Sequence, residues 1–167
     1  MIGPFFQKGF TLLDALVVIA VLAVALGLGT PAFDHYIKAS SVRTSASELQ
    51  KAFILARTAA IERAVPVYVY PDASWGKGFA VTVAQNKTPE SCSKDSTDCL
   101  HHMTPSEFSR AKIRATDAAI EFLPTGESTT PTTLIVCAED YGDLRTIHLL
   151  ASGRTFVLPD TGACDAS

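Results

Sequence analysis

The chain has 167 residues, 47% of them hydrophobic and 19% charged, with a formal net charge of −3 and a pI near 5.7. That length supports one compact domain, and that charge excludes a general phosphate-neutralising surface while leaving room for a local basic patch. Enzyme signatures are missing too: there is no Gly-x-Ser-x-Gly elbow, phosphate-cradling loop or helical His-Glu-x-x-His, so catalysis and a bound cofactor are not expected.

In chain order, the first organised stretch runs from Lys8 to Pro31, and no charged side chain falls between Asp14 and Thr30. From Phe10 onward it approaches the ~20 apolar residues that span a bilayer. A secretory signal carries its small-residue cleavage site beyond the apolar run, whereas Gly9 lies before it, directly after Lys8. Cleavage after Gly9 keeps the apolar helix on the mature chain with Phe10 as its N-terminus. A lone Asp14 carboxylate at membrane depth costs ~2.5–3.5 kcal/mol, so a cationic partner is expected, and the Phe10 amine of the same or a neighbouring copy is nearest in depth. Pro31 interrupts the helical pattern and favours a kink.

Beyond Pro31 the pattern stays helical to about Ala64. Val42, Ala46, Leu49, Phe53, Ala56 and Ala60 recur at spacings of four and three, an apolar stripe suited to packing on a sheet. Counted from Phe10, the two helical halves make a rod on the order of 80 Å at about 1.5 Å per residue. Pro66 ends the helix. Val65 to Tyr70 reads as a strand, Pro71-Asp72 as a turn, Trp75-Gly76-Lys77-Gly78 as another turn, and Phe79 to Ala84 as the next strand. Gln85 to Thr104 is polar and reads as a loop. Later strand candidates are 113–115, 119–123, 133–138, 146–150 and 155–158, separated by Gly- and Pro-bearing turns. Short strands with turn-length links imply antiparallel meanders, giving an α+β chain in which a long helix precedes a β-rich head.

Cys92, Cys99, Cys137 and Cys164 all follow the anchor, and an even count there reads as two disulfides in an oxidising compartment. Of three connectivities the favoured one is Cys92–Cys99, a local loop, with Cys137–Cys164 tying down the C-terminus. His101 and His102 beside Cys92 and Cys99 do not match the tighter ligand pairs of structural zinc, so no metal site is expected.

The string Gly9-Phe10-Thr11-Leu12-Leu13-Asp14, the apolar helix and Pro31 resemble the class III leader and N-terminal helix of type IV pilins and type II secretion pseudopilins. Helix segment 42–63, Trp75 with Gly78-Phe79, Ile135-Val136-Cys137 and the run 147–154 are similar to GspH/FimT-type minor pseudopilins. The resemblance implies a type IV pilin-like fold divided into a leader (1–9), a transmembrane or filament-core helix (10–31), an amphipathic helix (32–64) and a periplasmic β-rich domain (65–167). It also implies removal of the leader by a prepilin peptidase, N-methylation of Phe10, and assembly of an inner-membrane protein into a pilus or pseudopilus through its helix. Its partners are then other pilin subunits and the inner-membrane assembly platform. Most members carry Glu where Asp14 stands; Asp keeps the charge and is one methylene shorter. Some FimT-like members bind DNA through Gly-Arg-x-Arg. Here Gly153-Arg154-Thr155-Phe156 keeps the first Arg only, so Arg154, with Arg145 and Lys77, forms the alternative, DNA-contacting reading. Trp75 is read as a packing anchor in preference to a base-stacking platform.

Overall fold

The computed structural model describes residues 11–72, 74–83, 92, 98–103, 111–115, 119–139, 141–162 and 164, with backbone alone for 25–32. Two compact units divide the chain, Met1–Tyr36 and Ile37–Ser167. One helix, α1, spans Leu12–Arg63. It runs unbroken through position 31, where the sequence suggests an interruption. At its other end Arg63 is followed by Ala64 in the left-handed region (φ 52°) and then Pro66, which lacks the N–H needed to continue a helix.

Among the described residues eight strands follow: β1 Val67–Asp72, β2 Ser74–Thr82, β3 Cys99–Met103, β4 Lys112–Arg114, β5 Ile120–Phe122, β6 Thr132–Cys137, β7 Asp143–Leu149 and β8 Thr155–Thr161. They form two four-stranded antiparallel sheets, ordered β3-β2-β1-β5 and β4-β6-β7-β8. β1-β2-β3 and β6-β7-β8 are the expected meanders. Between them β4 and β5 exchange sheets, β4 pairing with β6 and β5 returning to β1. That crossing ties the two sheets into one head.

β7 starts three residues earlier and β8 ends three residues later than the sequence reading, and three larger differences lie in the first sheet. Pro71-Asp72 lies inside β1, and Trp75 to Gly78 lies inside β2 instead of forming a turn. The register slips between Pro71 and Asp72, and Gly78 takes a φ of 125° that only glycine adopts freely, so an irregular strand continues where Gly-rich sequence suggests a turn. The polar segment read as a loop contains β3, whose backbone pairs with Phe79 to Thr82 while Met103 enters the core. Pairing to an existing edge supplies hydrogen bonds that hydropathy does not report.

The core is a single cluster between one face of α1 and the inner faces of both sheets. All six residues of the anticipated stripe are buried, and Ala39, Ala52 and Ala59 join them. So many alanines let the helix axis approach the strands closely. Phe53, fully buried, fills the space left between them, meeting Trp75 edge-on at 6.2 Å between ring centroids and Phe122 at 6.4 Å. Burying such a ring contributes about 1.5–3 kcal/mol over leaving it in water. Ser45 is the exception on this face: its hydroxyl is buried with no hydrogen-bond partner among the described residues. Cys92–Cys99 and Cys137–Cys164 are disulfides with Cα separations of 5.4 and 5.5 Å, the favoured connectivity.

Candidate functional site

Two places carry the chemistry that the sequence singles out. The first is the start of α1. Thr11 caps the helix: its hydroxyl accepts the Asp14 N–H at 3.3 Å, while the Asp14 carboxylate accepts the Thr11 N–H at 3.0 Å and the Thr11 hydroxyl at 2.8 Å. This reciprocal pairing is a capping box, satisfying helix-end donors that would otherwise lack partners. Thr11 is the residue sequence reasoning passed over, although Thr-x-x-Asp before an apolar run is the signal for it. Gly9 and Phe10, the expected processing residues, lie outside the described residues, as does the side chain of Pro31. From Leu12 to Val24 every Leu, Val and Ile is exposed, from 82% at Leu12 to 49% at Val18. Among the described residues no helix is long and apolar enough to cross a membrane; the described side chains of this run stop at Val24.

The second place lies between α1 and two turns. Leu123 to Gly126 closes a turn through Gly126 N–H to Leu123 C=O at 2.8 Å, and Leu150 to Gly153 closes another through Gly153 N–H to Leu150 C=O, also at 2.8 Å. Each ends in a left-handed glycine, Gly126 at φ 82° and Gly153 at φ 72°. This is the geometry of a type I turn followed by a glycine bulge. The Ser128 N–H donates to Ala151 C=O at 2.9 Å and links the two turns. They pack so closely that a Cβ at Gly153 would lie 1.9 Å from the Gly126 carbonyl oxygen. That oxygen accepts Nε–H of the half-buried Arg57 at 3.0 Å. Beside this junction a cleft of about 240 Å³ is lined by Ile54, Arg57, Thr58, Gly153, Arg154 and Thr155. Arg154, singled out from sequence, is exposed there; Arg57, which sequence reasoning did not assign to a site, stands with it.

The other two cations proposed with Arg154 lie elsewhere. Arg145 lines a separate cleft of about 320 Å³ with Arg43, Tyr141, Asp143 and Asp160. Burial, then the neighbouring Asp143 charge, pushes the Tyr141 phenol above its ordinary value. Lys77 is exposed on β2 and lines neither cleft. Trp75 is 4% exposed and packs against Phe53 and Phe79, which leaves its faces closed to a nucleotide base. His101 and His102 alternate along β3; His101 is half-buried beside Phe79 and His102 is exposed. Among the described residues no group of three His, Cys, Asp or Glu side chains converges on a metal position. On the outer side of β1, Tyr68 and Tyr70 stack at 5.7 Å, and the Tyr68 hydroxyl donates to Glu121 at 2.9 Å. Desolvation, then that hydrogen bond and the Glu121 charge, raises the Tyr68 pKa above 10.0.

Residues 45–153 match the family described as type II transport protein GspH. Among solved structures, the type IV minor pilin FimU of Pseudomonas aeruginosa strain PAO1 is similar in fold. In one crystal form the TM-score is 0.59 at 17% identity, covering 74% of this chain and 92% of that one. In a second it is 0.56 at 19% identity, covering 70% and 92%. The minor pseudopilin EpsH from the type 2 secretion system of Vibrio cholerae is also similar, with a TM-score of 0.53 at 15% identity over 71% of this chain and 96% of that one. No curated protein matches the chain by sequence.

Proposed function

The chain belongs to the GspH family of type IV pilin-like minor subunits, and on that premise we propose that it assembles through its N-terminal helix into a type IV pilus or type II secretion pseudopilus, at or near the tip. It is a structural subunit, not an enzyme, as its relatives are. The fold is α+β and type IV pilin-like.

The observation that carries the assembly role is the run of exposed Leu, Val and Ile from Leu12 to Val24. Nine large apolar side chains in water are unfavourable by on the order of 10 kcal/mol, at about 1.5–3 kcal/mol for full burial of each. Two environments remove that penalty, a bilayer and a bundle of similar helices, and a subunit drawn from the first into the second keeps the surface covered throughout. In this reading the inner membrane holds the subunit before assembly, with its head in the periplasm, where the disulfides persist. Processing after Gly9 by a prepilin peptidase and N-methylation of Phe10 precede assembly. The Thr11–Asp14 box fixes the carboxylate at the helix start, where a neighbouring subunit's N-terminal amine sets the axial register.

The test is Asp14→Ala in the native host. The variant is expected to accumulate in the inner membrane and to be missing from sheared filaments; undiminished incorporation refutes the docking role. Deletion of the gene separates the two machines. Lost piliation or DNA uptake with normal secretion assigns the subunit to a pilus, and retained pili with exoproteins held in the periplasm assign it to a secretion pseudopilus. The DNA-contacting alternative has the weaker support, since Arg154, Arg145 and Lys77 do not share one cleft.

A further inference from the structure

The cleft holding Arg57 and Arg154 has two guanidinium groups, two hydroxyls and no carboxylate among its lining residues. The larger cleft around Arg43 and Arg145 has Asp143 and Asp160 among its lining residues, and the same two arginines also line an adjoining cleft with Ala46, Ser47, Gln50 and Val157, where the side chains beside them are neutral. Arg57 is also oriented. Its Nε–H is committed to the Gly126 carbonyl, and that carbonyl is wedged against the Gly153 Cα by two hydrogen-bonded turns. With Nε used, the end of the guanidinium carrying the two Nη groups remains as a planar fork, the arrangement that matches two oxygens of one anion. Arg154 and the Thr58 and Thr155 hydroxyls supply further donors around the same space.

We propose that this cleft binds a carboxylate side chain of a neighbouring subunit in the assembled filament. The proposal rests on the filament reading above and adds the contact that the head makes. Its rim favours a protein over a nucleic acid. Ile54, 52% exposed, lines the cleft, and Ile61, 50% exposed, touches the adjoining Gly126. An apolar border around a guanidinium anchor is the composition of a protein interface core. A duplex is held by a row of cations along its phosphates, and Arg145 and Lys77 do not extend such a row from this cleft.

Zero-length carbodiimide coupling tests this directly, because it joins an amine to a carboxylate only in contact and does not couple a guanidinium. Full-length chain carrying Arg154→Lys is assembled in the native host, and filaments are treated with carbodiimide and digested. The expected product is the peptide containing position 154 linked by an amide to an acidic residue of another subunit, and Arg154→Gln gives none. In parallel, Arg154→Glu is expected to lower incorporation about tenfold, the equivalent of losing one well-placed charge pair, while the Trp75 fluorescence unfolding midpoint stays at the wild-type value. Filaments that contain the Arg154→Lys chain with position 154 unlinked overturn the proposal and leave the filament reading standing. Absence of the wild-type chain from filaments overturns both. Salt-sensitive binding of a DNA duplex that is lost in Arg154→Gln, with incorporation unchanged, reassigns the cleft to phosphate and overturns the carboxylate proposal.

Discussion

Gly153→Ala is expected to be the most damaging single-methyl addition at a turn of this head. Two separate penalties act there. At φ 72° an L-residue is disfavoured by roughly 1–2 kcal/mol. In addition the new Cβ would sit 1.9 Å from the Gly126 carbonyl oxygen, 3.0 Å from its carbon and 3.1 Å from Arg57 Nε, so the two turns must separate and the Arg57 hydrogen bond must lengthen or break. A hydrogen bond from a charged donor is worth about 1.5–3 kcal/mol net, which brings the total to about 2.5–5 kcal/mol. Gly142 supplies the control, because it has nearly the same φ, 77°, and nothing within 4 Å of its would-be Cβ. Gly142→Ala therefore reports the conformational penalty alone. The assay is urea unfolding of the full chain in detergent, followed by fluorescence of Trp75, the single tryptophan, buried in the core against Phe53. With a slope of about 1.5 kcal/mol per M, Gly153→Ala is expected to lower the midpoint by about 2–3 M and Gly142→Ala by about 1 M. If the two variants fall within about 0.5 kcal/mol of each other, the close junction of the turns contributes nothing and the account of a preformed cleft is wrong.

Removing the second disulfide is expected to destabilise more than removing the first. The Cys137–Cys164 loop separates its ends by 27 positions and the Cys92–Cys99 loop by 7. Chain entropy gives about 3.6 kcal/mol against about 2.4 kcal/mol, measurable by unfolding of the paired Cys→Ser variants, and the reverse order would refute the loop-length argument. Tyr68 gives a pH dependence. Its pKa in the folded chain lies above 10.0, so the native state holds that proton more tightly than the unfolded state does. The associated stability is complete below pH 10.0 and is lost as pH rises through the folded value. Tyr68→Phe is expected to flatten the alkaline fall in the unfolding midpoint; an unchanged slope assigns that fall to other groups.

The helical stripe from Val42 to Ala60 was legible because burial on one side of a helix leaves a period near 3.6 in the sequence itself. The strands at 67–72, 132–137 and 143–149 were legible in outline because β-branched and aromatic residues cluster there. Other elements left no such trace. β3 carries Cys, His and His, and it is a strand because β2 presents unpaired backbone groups to it. Trp75 to Gly78 looks like a turn by composition, yet it continues a strand through a glycine at φ 125°. The Thr11–Asp14 capping box is written locally, as Thr-x-x-Asp before an apolar run.

Local information thus determined what each segment is: an apolar helix bearing one carboxylate, an amphipathic helix, short strands, and cysteines even in number. Periodicity, turn chemistry and side-chain polarity act over a few residues, so they can be read without knowing the fold. Only the tertiary structure decided which sheet each strand joins and which cation stands beside Arg154. β4 and β5 change places because backbone hydrogen bonds carry no sequence identity, and any exposed edge of suitable register accepts a strand. Arg57 and Arg154 line one cleft because the helix and the two glycine turns pack against one another, and that placement is written in the shape of the core, not in any spacing along the chain.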